Sequence, residues 1–374
     1  MPTPEKAVEI GLVLQGGGAL GAYEFGAVIA LLELMDAIDK AGRTVRLAAV
    51  TGVSIGAINA ACIVGAKDRT DARRRLRALW ADLTLETPVN WWPVASGNLS
   101  LFGLPGFYAP RRDVWNAVNW TSYYDTDPLL GTLAKHVDFG ALNGSATAFV
   151  VTAVDVATGT LTRFRNHAGR EGKKVEITPR HVLASGSLPP QFPATLISGA
   201  SFWDGGIVDN TPLGDAIAAF SPDGEAERVL VVMNLFRKER PLPRNMIEVN
   251  DRLAELRYGN RLRQDKSHAE TINVLVRTVE RLVALVPDGS LDDSLEKDVA
   301  RARRFKVLEE IIDIDLADPA LMAQAGLATA SEQSGGFRDF STAAIQRRHD
   351  TGYKLTQLKL RKLFEEHGLL PVSP

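Results

Sequence analysis

The chain is poor in cysteine, has no long apolar run and carries no excess of either charge, and each shortage removes a class of protein. A single cysteine, Cys62, among 374 residues excludes an intramolecular disulfide framework and a cysteine-rich zinc site, and fits a reducing compartment. No run of about 18 apolar residues occurs, so no segment is expected to span a bilayer, and only contact with a membrane surface is left open. Lys and Arg number 43 against 45 Asp and Glu, a formal charge of −2, so no global positive field draws the protein to nucleic acid. Near the amino terminus Glu5, Lys6 and Glu9 are charged and a short strand follows at once, so no export signal is expected and the location is read as cytoplasmic. Hydrophobic residues at 45% and charged residues at 24% describe an ordinary globular chain, long enough for two domains or one large α/β unit with an appendage.

Ile10 to Leu14 is a compact apolar run, Gly16 to Gly21 is a turn, and Tyr23 to Lys40 has helical periodicity. Arg46 to Thr51 predicts a second strand, and Ala57 to Ala66 a helix of small residues suited to close packing on a sheet. This βαβα opening predicts a mostly parallel sheet covered on both faces, with its reactive edge where strands run into helices. Residues 146 to 155, 160 to 166 and Val229 to Leu235 read as further strands. After Pro241-Leu-Pro243 the character changes to amphipathic stretches, Val249 to Val286, Leu295 to Ile312 and Phe340 to Glu366. The boundary is placed near 240, with one domain over 1–240 and a mainly helical extension over 241–374. Residues 90 to 124 hold nine of the 26 aromatics, broken by proline and glycine. Two readings of that segment stay open: an apolar cover or lip that touches lipid or substrate, and a satellite core.

Gly16-Gly17-Gly18-Ala19-Leu20-Gly21 formally satisfies G-x-G-x-x-G, which raises dinucleotide binding. That fold needs an acidic side chain at the end of the second strand. Here the strand ends in Thr51-Gly52-Val53-Ser54, while Glu33, Asp36 and Asp39 fall on the preceding helix, so no cofactor is expected and no metal either. Gly52 to Gly56 is instead G-x-S-x-G, in which a nucleophilic serine needs a sharp strand-to-helix turn with no Cβ crowding it. The turn would present Ser54 at the positive end of the next helix. Consecutive amides of Gly16, Gly17 and Gly18 can converge on one spot and hold an acyl oxyanion, with tight helix-to-strand packing as the plainer reading of the same glycines. Asp204, after Phe202-Trp203 and before Gly205-Gly206, is the best-placed base. The histidines, His136, His167, His181, His268, His349 and His367, lie in polar or helical contexts. A Ser, Asp, His order with His268 as base is the α/β-hydrolase alternative, which geometry decides.

Together G-G-G-x-x-G, G-x-S-x-G and D-G-G resemble the patatin-like phospholipase family of acyl hydrolases, as do Ala184 to Phe192 and Asp204 to Pro212. The resemblance covers roughly residues 8 to 240. It implies a three-layer αβα sandwich with a mostly parallel central sheet, a Ser54 and Asp204 dyad without histidine, and an oxyanion hole from Gly16, Gly17 and Gly18. The implied substrate is a lipid or other ester: phospholipid, lysophospholipid or neutral ester. Leu20 departs from the family, which often carries Lys or Arg there, so that motif brings no cation to a phosphate. The carboxy-terminal region resembles the extra module of a bacterial subgroup and is read as an element for homo-oligomerisation or lid support. The competing classes are an acyltransferase of the malonyl transacylase type, usually with a histidine base, and a non-enzymatic scaffold.

Overall fold

In chain order the elements begin with β1 (Ala7–Leu14), α1 (Gly21–Lys40), β2 (Val45–Gly52), α2 (Ile55–Val64) and α3 (Arg69–Asp82). A two-residue ladder, β3 (Ala109–Pro110) with β4 (Tyr124–Asp125), precedes α4 (Asp127–His136), α5 (Phe139–Gly144), β5 (Ala148–Asp155), β6 (Leu161–Arg165) and α6 (Pro179–Ser185). Then come β7 (Thr195–Ile197), β8 (Ala200–Asp204), α7 (Leu213–Ala218), β9 (Ala226–Asn234), α8 (Met246–Gly259) and α9 (Arg261–Val283). The chain closes with α10 (Asp293–Ala302), β10 (Glu310–Asp315), α11 (Pro319–Gln324) and α12 (Thr342–Glu366). The computed structural model describes residues 6–86, 99–168, 173–221, 226–236, 241–259, 261–287, 290–303, 305–308, 310–315, 318–327 and 336–372.

Strand β9 shows why two helical layers are needed. Val229, Val231 and Met233 face one apolar cluster, and Leu230 and Val232 face a second on the other side of the sheet. Successive strand side chains point to opposite faces, so a continuous apolar run is stable only when both faces are covered. Helices α1, α2, α3 and α12 cover the first face, and α7 and α9 the second, which makes a three-layer αβα sandwich. The central sheet has eight strands in the order β10-β9-β1-β2-β5-β8-β7, with β6 also on β5. Strands β10, β9, β1, β2 and β5 run parallel, while β6, β7 and β8 are antiparallel additions.

Strand β5 decides where two strand ends meet. Val150 and Val151 pair with β2 on one edge and β6 on the other, and Ala153 and Val154 pair with both β6 and β8. A strand has only two edges, so β8 must share the β2 edge. Because β2 runs parallel to β5 and β8 antiparallel, their carboxy-terminal ends approach head-on, with Gly52 opposite Val151 and Asp204 opposite Ala153.

The extension after 240 does not stand apart in space. Leu295 to Ile312, expected as one amphipathic stretch, divides into α10 and the edge strand β10, whose Ile-rich run pairs with β9. Its β-branched residues favour a pleated, half-buried edge over a helix. Helix α12 lies against α1 at a separation that only glycine allows. A Cβ on Gly26 would sit 1.9 Å from His349 O, and one on Gly352 would sit 2.0 Å from Tyr23 O. By length and composition Gly18–Lys40 could cross a membrane, yet most of it is buried within the molecule, as a core helix is.

This contact yields a stability test. Gly26→Ala should destabilise the protein by about 1–3 kcal/mol through overpacking against α12. Gly131→Ala, in helix α4 where a Cβ meets nothing within 4 Å, should instead be neutral or stabilise by about 0.5–1 kcal/mol. Urea unfolding of both variants checks the pair.

Candidate active site

Where β2 gives way to α2, Ser54 holds φ 53° and ψ −123°, a region that L side chains rarely occupy. The turn is also too tight for a Cβ at either flanking glycine. One on Gly52 would lie 2.4 Å from Gly56 O, and one on Gly56 would lie 2.5 Å from Leu14 O. An outside contact holds the strained residue, since the Ser54 N–H donates to Ser185 Oγ at 2.9 Å. Ser54 is only partly buried, so its hydroxyl stays within reach of a ligand.

Asp204 is buried at the end of β8. Its N–H donates to Ser187 O at 3.0 Å, and its Oδ1 accepts from Gly206 N–H at 2.7 Å. The Ser54 side chain is near enough to the same carboxyl to draw its pKa downward. Burial pushes this acid up to about 7, against the opposing pull of the Gly206 bond and of Ser54. The turn at 185–187 thus grips the backbones of both residues, one through a serine hydroxyl and one through a carbonyl.

The glycine turn is tied to the segment after Asp204. Gly16 N–H donates to Asn210 Oδ1 at 3.0 Å, and Asn210 Nδ2 donates back to Gly16 O at 3.1 Å. This corrects the expected set of oxyanion donors: the Gly16 amide is already engaged. Among the described residues Gly17 and Gly18 amides have no such partner. Gly18, at φ +54°, has its Cβ position 2.5 Å from Phe337 O, so both its backbone and its surroundings require glycine. Gln15 adds a second tie, donating to Thr211 Oγ1 at 2.7 Å and accepting from Leu235 N–H at 3.0 Å. Behind the turn, Asn59 Nδ2 donates to the carboxyl of Glu24 at 3.0 Å, and burial holds that acid well above the usual carboxylate range.

Histidine takes no part in this cluster. His136 pairs with Asp82 at 2.7 Å, His181 caps its own helix through Thr178, and His349 packs on the Phe25 ring at 4.5 Å. His268 lies on α9, across the sheet from α1 and α2. Among the described residues no histidine bonds Ser54 or Asp204. The aromatic segment divides. Residues 90–98, with Trp91 and Trp92, lie outside the described residues. Phe107 and Tyr108 are buried and pack on Phe192, whereas Trp115 is 83% exposed and Val118 99% exposed on the short turn Val114–Asn119.

Two contributors were not among the expected site residues. Asn210 lies in a stretch that the motifs single out, but its pairing with Gly16 spans the sheet. Tyr258, from α8, packs on Phe236 at 5.9 Å, and burial followed by the Asp204 charge pushes its phenol upward.

The buried acid has a consequence for stability. The folded chain favours the protonated Asp204, so its contribution is full below the unfolded value of about 3.9 and is lost as pH rises through about 7. Asp204→Asn should therefore equal the parent near pH 4 and exceed it near pH 8 in free energy of unfolding. A parallel pH dependence in the two proteins would contradict a carboxyl raised by burial.

Among curated proteins none matches the chain. Among solved structures it is similar to VipD from Legionella pneumophila, at 17% identity and TM-score 0.42, covering 96% of this chain and 67% of that one. Human GIVD cytosolic phospholipase A2, solved with methyl gamma-linolenyl fluorophosphonate, has 13% identity and TM-score 0.38, with coverage of 97% and 59%. ExoU of the Pseudomonas aeruginosa type III secretion system, solved with SpcU, has 16% identity and TM-score 0.27, with coverage of 95% and 70%. The chain thus spans between 59% and 70% of these proteins' lengths, and scores this low carry no argument about function. The family model of patatin-like phospholipases matches residues 12–217, more than half of the chain and the whole stretch that bears the glycine turn, Ser54 and Asp204, and the chain belongs to that family.

Proposed function

We propose that the chain hydrolyses carboxylic esters of lipids, with Ser54 as nucleophile and Asp204 as its base. The observation that carries this reading is the meeting of a strained, partly exposed serine with a buried carboxyl beside a glycine turn. Asp204 accepts the Ser54 proton as Oγ bonds the acyl carbon. The alcohol then leaves with the proton from Asp204, and water repeats the sequence on the acyl enzyme. The Gly17 and Gly18 amides face the developing oxyanion, and one such donor is worth about 3–4 kcal/mol in the transition state. An aspartate at its reference value of about 3.9 is a poor base toward an alcohol, and the upward push of burial brings Asp204 closer to working pH. An acyltransferase of the malonyl transacylase type would want a histidine beside the serine, and none is there among the described residues.

The turn Val114–Asn119 extends this reading to the physical form of the substrate. Val114, Trp115 and Val118 are exposed together and Arg112 is exposed nearby, the mixture of apolar, aromatic and basic groups that settles at a lipid–water boundary. We assign this lip to peripheral contact with lipid aggregates.

Two measurements test the proposal. A folded Ser54→Ala protein should lose at least about a thousandfold in p-nitrophenyl ester hydrolysis, and undiminished turnover would remove Ser54 from the mechanism. In the parent, kcat/KM should rise with pH through an ionisation near 7, because the carboxylate is the active form. Separately, replacing Trp115 and Val118 by alanine should weaken sedimentation with lipid vesicles, and unchanged binding would exclude the lip.

A further inference from the structure

We infer that Arg338 binds the phosphate of a lipid headgroup, supplying from the carboxy-terminal region the cation that Leu20 does not bring to the glycine turn. This inference rests on the hydrolase reading above. The strap that carries Arg338 is pinned almost carbonyl by carbonyl. Arg348, buried on α12, donates to Gly336 O at 2.7 Å and to Asp339 O at 2.6 Å. Ser100 Oγ donates to Arg338 O at 2.8 Å, and Leu85 N–H donates to Phe340 O at 2.8 Å. Between them, Phe337 O lies 2.5 Å from the Cβ position of Gly18. The backbone on both sides of Arg338 is therefore fixed against the turn expected to hold the oxyanion.

The Arg338 side chain, by contrast, is exposed, and among the described residues it pairs with no carboxylate. Its guanidinium lies 5.0 Å over the Phe337 ring, which holds the fork without satisfying its charge. It is near enough to Tyr108 and Tyr124 to pull both phenols down against the burial that raises them. Those rings pack on Phe192 at 5.2 and 6.2 Å, at the end of the segment whose serines hold Ser54 and Asp204. Arg338 thus stands between the glycine turn and the aromatic wall. A glycerophospholipid carries its phosphate only a few bonds from the scissile ester, and a planar guanidinium matches two phosphate oxygens at once.

The test compares the full chain with Arg338→Ala, Arg338→Lys and Arg338→Glu on dioctanoyl phosphatidylglycerol and on p-nitrophenyl octanoate. The ratio of kcat/KM for phospholipid over neutral ester should fall about tenfold in Arg338→Ala, the worth of one bond to a charged group. It should fall further in Arg338→Glu and recover in part in Arg338→Lys. Arg338 is exposed, so these variants retain the fold, and circular dichroism verifies it. A ratio that does not move overturns the assignment, as does an equal loss on both substrates, or a parent that cleaves only the neutral ester. A parent that cleaves neither substrate overturns the hydrolase reading itself, which is a different result.

Discussion

One edge of strand β5 serves two strands that run in opposite directions, and the candidate site exists because of it. β2 arrives parallel and β8 antiparallel, so their ends face each other across the space between Val151 and Ala153. Strand residues advance by only about 3.3 Å, which places the turn after Gly52 and the side chain of Asp204 within reach of one another. A register slip of one residue in β8 would send the Asp204 side chain to the opposite face of the sheet. The hydrogen bonds from the 185–187 turn to both backbones oppose such a slip.

The site departs from the rules that the rest of the chain obeys. Ser54 occupies a backbone region that costs about 1–3 kcal/mol, and Asp204 is an acid taken out of water beside few donors. Such features persist only where the surroundings over-determine them. Here that support is the reciprocal amide pair of Asn210 with Gly16, the Gln15 bridge to Thr211 and Leu235, and the serines of 185–187. The same departures serve the proposed chemistry, since a serine held partly exposed at a tight turn and a carboxyl made more basic are what acyl transfer requires.

The carboxy-terminal region belongs to this frame. Strand β10 extends the sheet, α12 lies in close contact with α1 through Gly26 and Gly352, and the strap at 336–340 closes over Gly18. The change of sequence character near 240 marks a change from strand-and-helix alternation to long helices. It does not mark a gap in packing. Arg348 shows the coupling: a buried guanidinium from α12 bonds carbonyls of the strap and also reaches Ala19 O beside the glycine turn.

The sequence by itself determined what depends on neighbours along the chain. The apolar runs of β1, β2, β5 and β9, the helix over Gly21–Lys40 and the two tight turns were legible because backbone conformation answers to local side-chain size and periodicity. The pairing of Ser54 with Asp204 was an expectation drawn from the context of Asp204 and from the resemblance of motifs, since nothing local links residues 150 positions apart. Tertiary structure alone decided which hydrogen bonds form across the sheet. It committed the Gly16 amide to Asn210, gave Ser185 and Ser187 their grip on the site, turned the end of one expected helical stretch into β10, and set the Phe337 carbonyl against Gly18. Those outcomes follow from strand register and from the approach of distant helices, and a one-dimensional pattern of residue types carries neither.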